Sequence, residues 1–365
     1  MNKFFLKLKI YFARFHRAYT PQLSTALYVK DDAIGDFLFG TAMIRELQEK
    51  FKDVYVVCAP NVRSIAELYL PPERIISAGY RFDDLKKIFN LQPSLVVTSS
   101  LRSSYADQIA AFFNRRSRGE VTIVSTDDPA FKKRRRARTY TRLGAHPPDE
   151  EIDSRFLCGA HRKEHFLLET AFEMTLDPSR SRPFLPTEKL PRAGDGRLNG
   201  NYFCVLPSTG DVRRTYRQGD LMKLAKQYAA RTKWPAVFLS ADSIPELSRQ
   251  NAGSQEGGEL IDLTKKTSIV ESLGIISRAR FTLTNETGLG HASWIMGRPT
   301  VMIMPGGNFH HFHSSDKSLH AVYDLRECFD CHHHCRYSFN ERFPCIDEIP
   351  FEKIEAAITN ICSSL

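Results

Sequence analysis

Three segments of this chain combine residue types that can do chemistry. In Lys30-Asp31-Asp32-Ala33-Ile34-Gly35-Asp36, a carboxylate follows a glycine just after an apolar run. Facing a cleft, Asp36 could accept the proton of an attacking hydroxyl. The same Asp at a helix start also reads as a cap or a dipole partner. In Thr284-Asn285-Glu286-Thr287-Gly288-Leu289-Gly290-His291, the acid precedes small residues at a second expected helix start. Glu286 could hold adjacent hydroxyls of a sugar, and the amides of Thr287, Gly288 and Leu289 a diphosphate. The competing reading is a capped helix with His291 satisfied in the core. In Pro207-Ser208-Thr209-Gly210-Asp211-Val212-Arg213-Arg214-Thr215-Tyr216, the Ser208, Thr209 and Gly210 backbone can face a phosphate while Arg214 offers a forked set of donors. The Gly-Lys-Ser/Thr ending of a P-loop is absent, and an ordinary loop with solvated arginines is the alternative.

Other clusters stand apart from these loops. Cys328, Cys331, Cys335 and Cys345 enclose His332, His333 and His334. Four thiolates suit a structural zinc, but the spacing is irregular, so a disulfide or buried thiols remain equal readings. His310, His311 and His313 follow a Pro-Gly-Gly loop and could reach a bound donor or form a polar rim. Cys58, Cys158, Cys204 and Cys362 are isolated, as in a reduced cytosolic protein. The run 132–138 is almost wholly basic, and Arg134, Arg135 and Arg136 would attract an acidic acceptor if they do not form a solvated loop. Residues 1–24 carry apolar residues at helical spacing broken by Lys and Arg, which suits a basic amphipathic helix on an anionic membrane or a helix packed on the body. No apolar run is long enough to span a bilayer.

The elements that must position these loops alternate along the chain. Short apolar strands near 26–29, 54–57, 74–77, 95–97 and 121–124 are separated by helical stretches, including one over 37–51. The pattern repeats from Tyr202, with strands near 202–206, 236–239, 260–263, 281–284 and 300–304. Strands without polar alternation, each followed by a helix, imply parallel sheets covered on both faces. With 365 residues, two such α/β domains fit better than one. The expected division is 1–24 as the basic segment, 25–178 as the first domain, 179–201 as a linker, 202–348 as the second domain with the cysteines, and 349–365 as a terminal helix. Ligands gather at the carboxyl ends of such strands, where the chemical loops lie. A net charge of +9 favours phosphates, anionic glycolipids, membrane headgroups or nucleic acid as partners.

In order and spacing these segments resemble glycosyltransferase family 9, the heptosyltransferase-like enzymes of bacterial surface polysaccharide assembly. The resemblance runs through Lys30 to Asp36, Pro207 to Tyr216, Glu286 to His291 and the following Gly297-Arg298-Pro299-Thr300. It implies the GT-B fold, two Rossmann-like domains facing across a cleft, and an inverting sugar transfer from a nucleoside diphosphate to a lipopolysaccharide or other surface glycan. Carried over, Asp36 is the general base. Ser208, Thr209, Gly210, Arg214, Glu286, Thr287, Gly288, Leu289 and His291 bind the donor, and Lys30 and the arginine run bind the acceptor. Glu286 replaces the family's Asp and Arg214 its Lys, which leaves the donor sugar open. No Asp-x-Asp pair occurs, so no catalytic metal is expected. The resemblance places the protein at the inner face of the cytoplasmic membrane. A basic nucleic-acid-binding protein lacks stacking aromatics or a known module in the sequence. A nucleotide-sugar epimerase of related fold would consume donor without acceptor.

Overall fold

The structure, a computed structural model, describes residues 19–79, 81–99, 104–117, 120–126, 140–143, 155–192, 196–244, 247, 258–337 and 341–364. Residues 1–18 of the expected basic segment 1–24, and Arg134, Arg135 and Arg136, lie outside the described residues. Among those described, no helix is long and apolar enough to cross a membrane.

The first half contains β1 (Gln22–Lys30), α1 (Ile34–Phe39), α2 (Thr41–Lys50), β2 (Asp53–Cys58), α3 (Arg63–Ala66), β3 (Ile75–Ser77), α4 (Phe82–Asn90), β4 (Pro93–Thr98), α5 (Ser104–Ser117), β5 (Thr122–Thr126), β6 (Tyr140–Leu143) and α6 (Gly159–Phe172). Its strands form one sheet in the order β3-β2-β1-β4-β5-β6, parallel throughout. This is the doubly wound order, in which the chain reverses direction beside β1 and opens a crevice at the strand ends. β1 is central: Ala26 stands opposite Val54 on one side and Leu95 on the other. It begins at Gln22, inside the expected basic segment, so the first domain starts earlier than residue 25.

The second half contains β7 (Phe203–Leu206), α7 (Gln218–Thr232), β8 (Ala236–Phe238), β9 (Leu260–Asp262), α8 (Ile269–Ile276), β10 (Thr282–Asn285), α9 (Gly288–Ile295), β11 (Thr300–Ile303), α10 (Phe309–Phe312), β12 (Leu319–Val322), α11 (Pro344–Asp347) and α12 (Phe351–Ser364). A second parallel sheet runs β12-β11-β10-β7-β8-β9. α12 closes this half: Ile354, Ile358 and Ile361 are buried with Tyr228 of α7 and Val301 of β11. The segment expected as a linker is anchored to both halves. Phe184 N–H donates to Thr41 Oγ1 (3.1 Å), Lys189 Nζ to Leu68 O, and Arg278 donates to Pro191 O.

The single helix expected over 37–51 is two, broken at Gly40. A Cβ there would lie 2.2 Å from the Tyr28 hydroxyl and 3.3 Å from Lys30 Cε. The chain turns where β1's side chains leave no room, which helical periodicity alone does not register. β6, α6 and β12 were not expected. The strands are only four residues long, and α6 presents a mixed polar face because it buries His161, Glu164 and His165.

Candidate active site

Beneath the end of β1 lies a buried ionic cluster. Lys30 is fully buried, with Nζ 3.0 Å from Glu164 Oε1, 3.1 Å from Asp32 Oδ2 and 3.2 Å from Ser99 Oγ. Ser99 also donates to Glu164 Oε1, and the Tyr28 hydroxyl donates to Oε2 at 3.3 Å. Burial lowers the pKa of Lys30, but the Glu164 and Asp32 charges outweigh it and raise it well above the ordinary lysine value. Burial raises that of Glu164, but Lys30 and Lys163 outweigh it and bring it down. Lys163 is itself lowered, by burial and by the Lys30 charge. The expectation that Lys30 contacts an acceptor is corrected here: its ammonium is committed to oxygens under the cleft floor.

Asp36 emerges from this floor in the first turn of α1. Its side chain is 18% exposed, and Oδ1 lies 3.6 Å from Nε2 of His311, which α10 brings from the second half. Burial would push the carboxyl up, but the His311 imidazole and the Lys30 and Lys163 charges hold it down to about 2. The carboxylate is therefore ionised across the neutral range and still open to solvent on one side.

The two halves touch on both flanks of Asp36. A Cβ on Gly288 would stand 2.6 Å from Ile34 Cβ and 3.0 Å from Gly35 N, so the starts of α1 and α9 meet backbone to backbone. A Cβ on Gly159 would stand 2.9 Å from His310 O and 3.2 Å from His311 Cα, so α10 sits directly on the start of α6. Small residues at these two points allow an approach that any side chain would block.

The second half supplies the remaining candidates. Thr287 caps α9, its Oγ1 accepting from Gly290 N–H (3.1 Å) while His291 N–H donates to Thr287 O (2.9 Å). The amides of Thr287, Gly288 and Leu289 precede the helical ladder at the positive end of α9. Glu286 is buried between Arg214, whose Nη1 is 3.7 Å from Oε2, and His291, whose Nε2 is 3.3 Å from Oε1. Trp294 Nε1–H donates to His291 Nδ1 at 3.2 Å. An indole can only donate, so Nδ1 accepts and Nε2 carries the proton toward Glu286. His291 thus sits in the core and orients the carboxylate. Thr209 Oγ1 donates to Asp211 O (2.5 Å) and shares a hydrogen bond with Thr215 Oγ1 (3.0 Å). Ser208 is half-buried and Gly210 exposed on the same turn.

Residue typing did not single out Asn285. It is fully buried and accepts from Tyr216 N–H (2.9 Å) while donating to Pro207 O (2.8 Å), clasping the 207–216 loop to the end of β10. Glu164 and Lys163 were likewise not singled out, and His311 was read as reaching a donor or forming a polar rim, not as a neighbour of Asp36. Their partners lie in other elements of the fold, which residue typing does not register.

Cys328, Cys331, Cys335 and Cys345 line one cavity with Gly306, Gly307 and Phe343. All are free thiols, and burial raises Cys345 and Cys331 above the ordinary thiol value. Among the described residues, no three His, Cys, Asp or Glu side chains stand together as a metal-ligand set. Cys58, Cys158 and Cys204 are buried and free.

No family model matches the sequence, and no curated protein matches it. The likeness is in the fold. A glycosyl transferase of family 9 from Veillonella parvula DSM 2008 aligns with a TM-score of 0.64 at 12% identity, over 94% of this chain and 98% of that one. The ADP-heptose lps heptosyltransferase II of E. coli gives 0.64 at 11% identity, over 93% and 99%. E. coli heptosyltransferase WaaC with ADP gives 0.61 at 14% identity, over 93% and 98%. With two parallel sheets, six strands each among the described residues, in two halves that meet at Gly35 and Gly288, the chain has the two-domain GT-B fold of these proteins.

Proposed function

We propose that this chain is an inverting glycosyltransferase whose donor is a nucleoside-diphosphate sugar and whose acceptor is a glycolipid or surface glycan. The observation that carries the reading is the position of Asp36. An ionised, partly open carboxylate stands at the carboxyl end of the first sheet, against the α9 start of the second. In the reaction the acceptor oxygen bonds to the anomeric carbon as the bond from that carbon to the diphosphate oxygen breaks. The hydroxyl proton passes to Asp36, and the departing negative charge falls to Arg214 and the α9 amides. In this reading Glu286, beside His291, takes sugar hydroxyls, which its ion pairs with Arg214 and His291 support. Neutralisation by side chains and a helix end needs no metal on the diphosphate. Heptose is the first donor to test, since the neighbours named above include heptosyltransferases.

Transfer from ADP-heptose and other nucleotide sugars tests this directly. Asp36→Asn should retain the thermal shift given by the nucleotide and lose transfer by about a hundredfold or more. A folded Asp36→Asn variant with full transfer activity refutes the assignment. Donor consumed in the absence of any acceptor would favour an epimerase.

The sequence of residues 1–18 supports a place at an anionic membrane surface, which vesicle flotation with and without that segment tests. For the cysteine loop we propose a structural zinc, supported by four thiols lining one cavity, although they do not stand as a ligand set. Stoichiometric zinc in reduced, purified protein supports it; none overturns it. The reaction above does not pass through this loop.

A further inference from the structure

Residues from the two halves meet beside the cleft, and one such pair involves the reacting carboxylate itself. We propose that His311 is the positioning partner of Asp36: an imidazole from the second half seats the carboxylate of the first, so the proton acceptor is complete only where the halves meet. This inference rests on the transferase reading.

The placement of His311 is fixed from several sides. α10 lies on α6 at Gly159, where no side chain intervenes. The Phe312 ring packs 6.0 Å from Phe39 of α1 and 4.9 Å from the His291 ring of α9, centroid to centroid. His310 N–H donates to Asp330 Oδ1 at 3.1 Å, which ties the first turn of α10 to the 326–337 loop. The imidazole and carboxylate are 15% and 18% exposed, so water is largely excluded from between them. At 3.6 Å the contact is longer than a direct hydrogen bond. Catalytic contacts commonly tighten when substrate binds.

The chemistry follows from the arrangement. One carboxylate oxygen rests against His311, which leaves the other to receive the acceptor's proton. The charged and titratable groups around the pair are Lys30 and Asp32 at the end of β1, Lys163 on α6, His291 behind Gly35, Cys158, and the His310–Asp330 pair on the outer side of α10. Lys30 and Lys163 hold the carboxylate ionised from the floor; His311 is the partner that only the second half supplies.

Two measurements on the full chain test the inference. In 15N-histidine-labelled protein, the His311 ring resonances, assigned by their loss in His311→Gln, should shift in Asp36→Asn. Resonances indifferent to Asp36→Asn overturn the pairing, whatever the activity. In transfer assays with ADP-heptose, or whichever donor the first screen identifies, His311→Ala should lower kcat roughly tenfold or more with little change in donor KM. The acid limb of its pH profile should move upward, because the carboxyl loses a group that holds it down. His311→Gln, which keeps an N–H donor, should recover part of the rate. An unchanged rate and acid limb in His311→Ala overturn the positioning role. If the wild-type chain transfers no sugar, the transferase reading fails, and the resonance measurement still decides the pairing.

Discussion

Replacing Lys30 by Met should destabilise the cleft floor. The ammonium faces Glu164 and Asp32 at 3.0 and 3.1 Å, and their side chains are only 2% and 10% exposed. Removing one partner of a buried ion pair leaves its counter-charge uncompensated, at a cost of about 3–5 kcal/mol. Met has nearly the same length, so the packing against Gly40 and Tyr28 changes little, and the loss reads the charge rather than a cavity. The deficit also depends on pH. In the wild-type fold Glu164 is held below its ordinary value, so its contribution is present above the unfolded carboxyl range and is lost as pH falls through the folded value. Without Lys30, only Lys163, 3.8 Å away, remains to offset the burial of Glu164, so the carboxyl moves upward and the variant relieves itself by taking a proton. The difference between the two proteins in equilibrium urea unfolding should therefore be largest at about pH 7 and narrow toward about pH 5. Adding Glu164→Gln to Lys30→Met should restore part of the loss. A deficit below about 1 kcal/mol, or one of constant size across that range, refutes the account of the floor as an ionic cluster.

Gly288→Ala should cost about 1–3 kcal/mol and weaken nucleotide binding, since its Cβ would meet Ile34 Cβ at 2.6 Å; calorimetry of both, with Ile34→Ala as the relieving second change, checks this. Asn285→Ala leaves the Tyr216 amide and the Pro207 carbonyl unpaired in the core, at about 1–3 kcal/mol each, and should loosen the 207–216 loop enough to show faster hydrogen exchange at Tyr216. His161 is buried, and burial lowers it from 6.5 to about 4; Leu157 N–H donates to its Nδ1, so the ring must stay neutral to fold. The unfolded imidazole then binds more protons between those values, and stability should fall as pH drops from about 6.5 through about 4, a slope that His161→Asn should flatten in urea titrations at stepped pH.

The rhythm of apolar strands and amphipathic helices is a local property, and it located ten of the twelve strands among the described residues. Parallel sheets need crossover helices, so strand-helix alternation already implied two doubly wound halves and put the Asp36, Ser208 and Glu286 loops at strand ends. Capping is local in the same way: Ser268 and Glu271 form a reciprocal cap over three residues of sequence.

What the tertiary structure decided concerns partners distant along the chain. Lys30 reads as a loop cation until Glu164, 134 residues away, is folded against it. His291 reads as a ligand or, more often for a lone histidine, as core, until Trp294 and Glu286 fix its two nitrogens. The pairing of Asp36 with His311 crosses from one domain to the other and leaves no periodic trace in either segment. Short-range periodicity encodes which face of an element is buried. The protonation and orientation of a buried polar group depend on the charges and dipoles that packing brings within a few ångströms, and no local pattern carries that information.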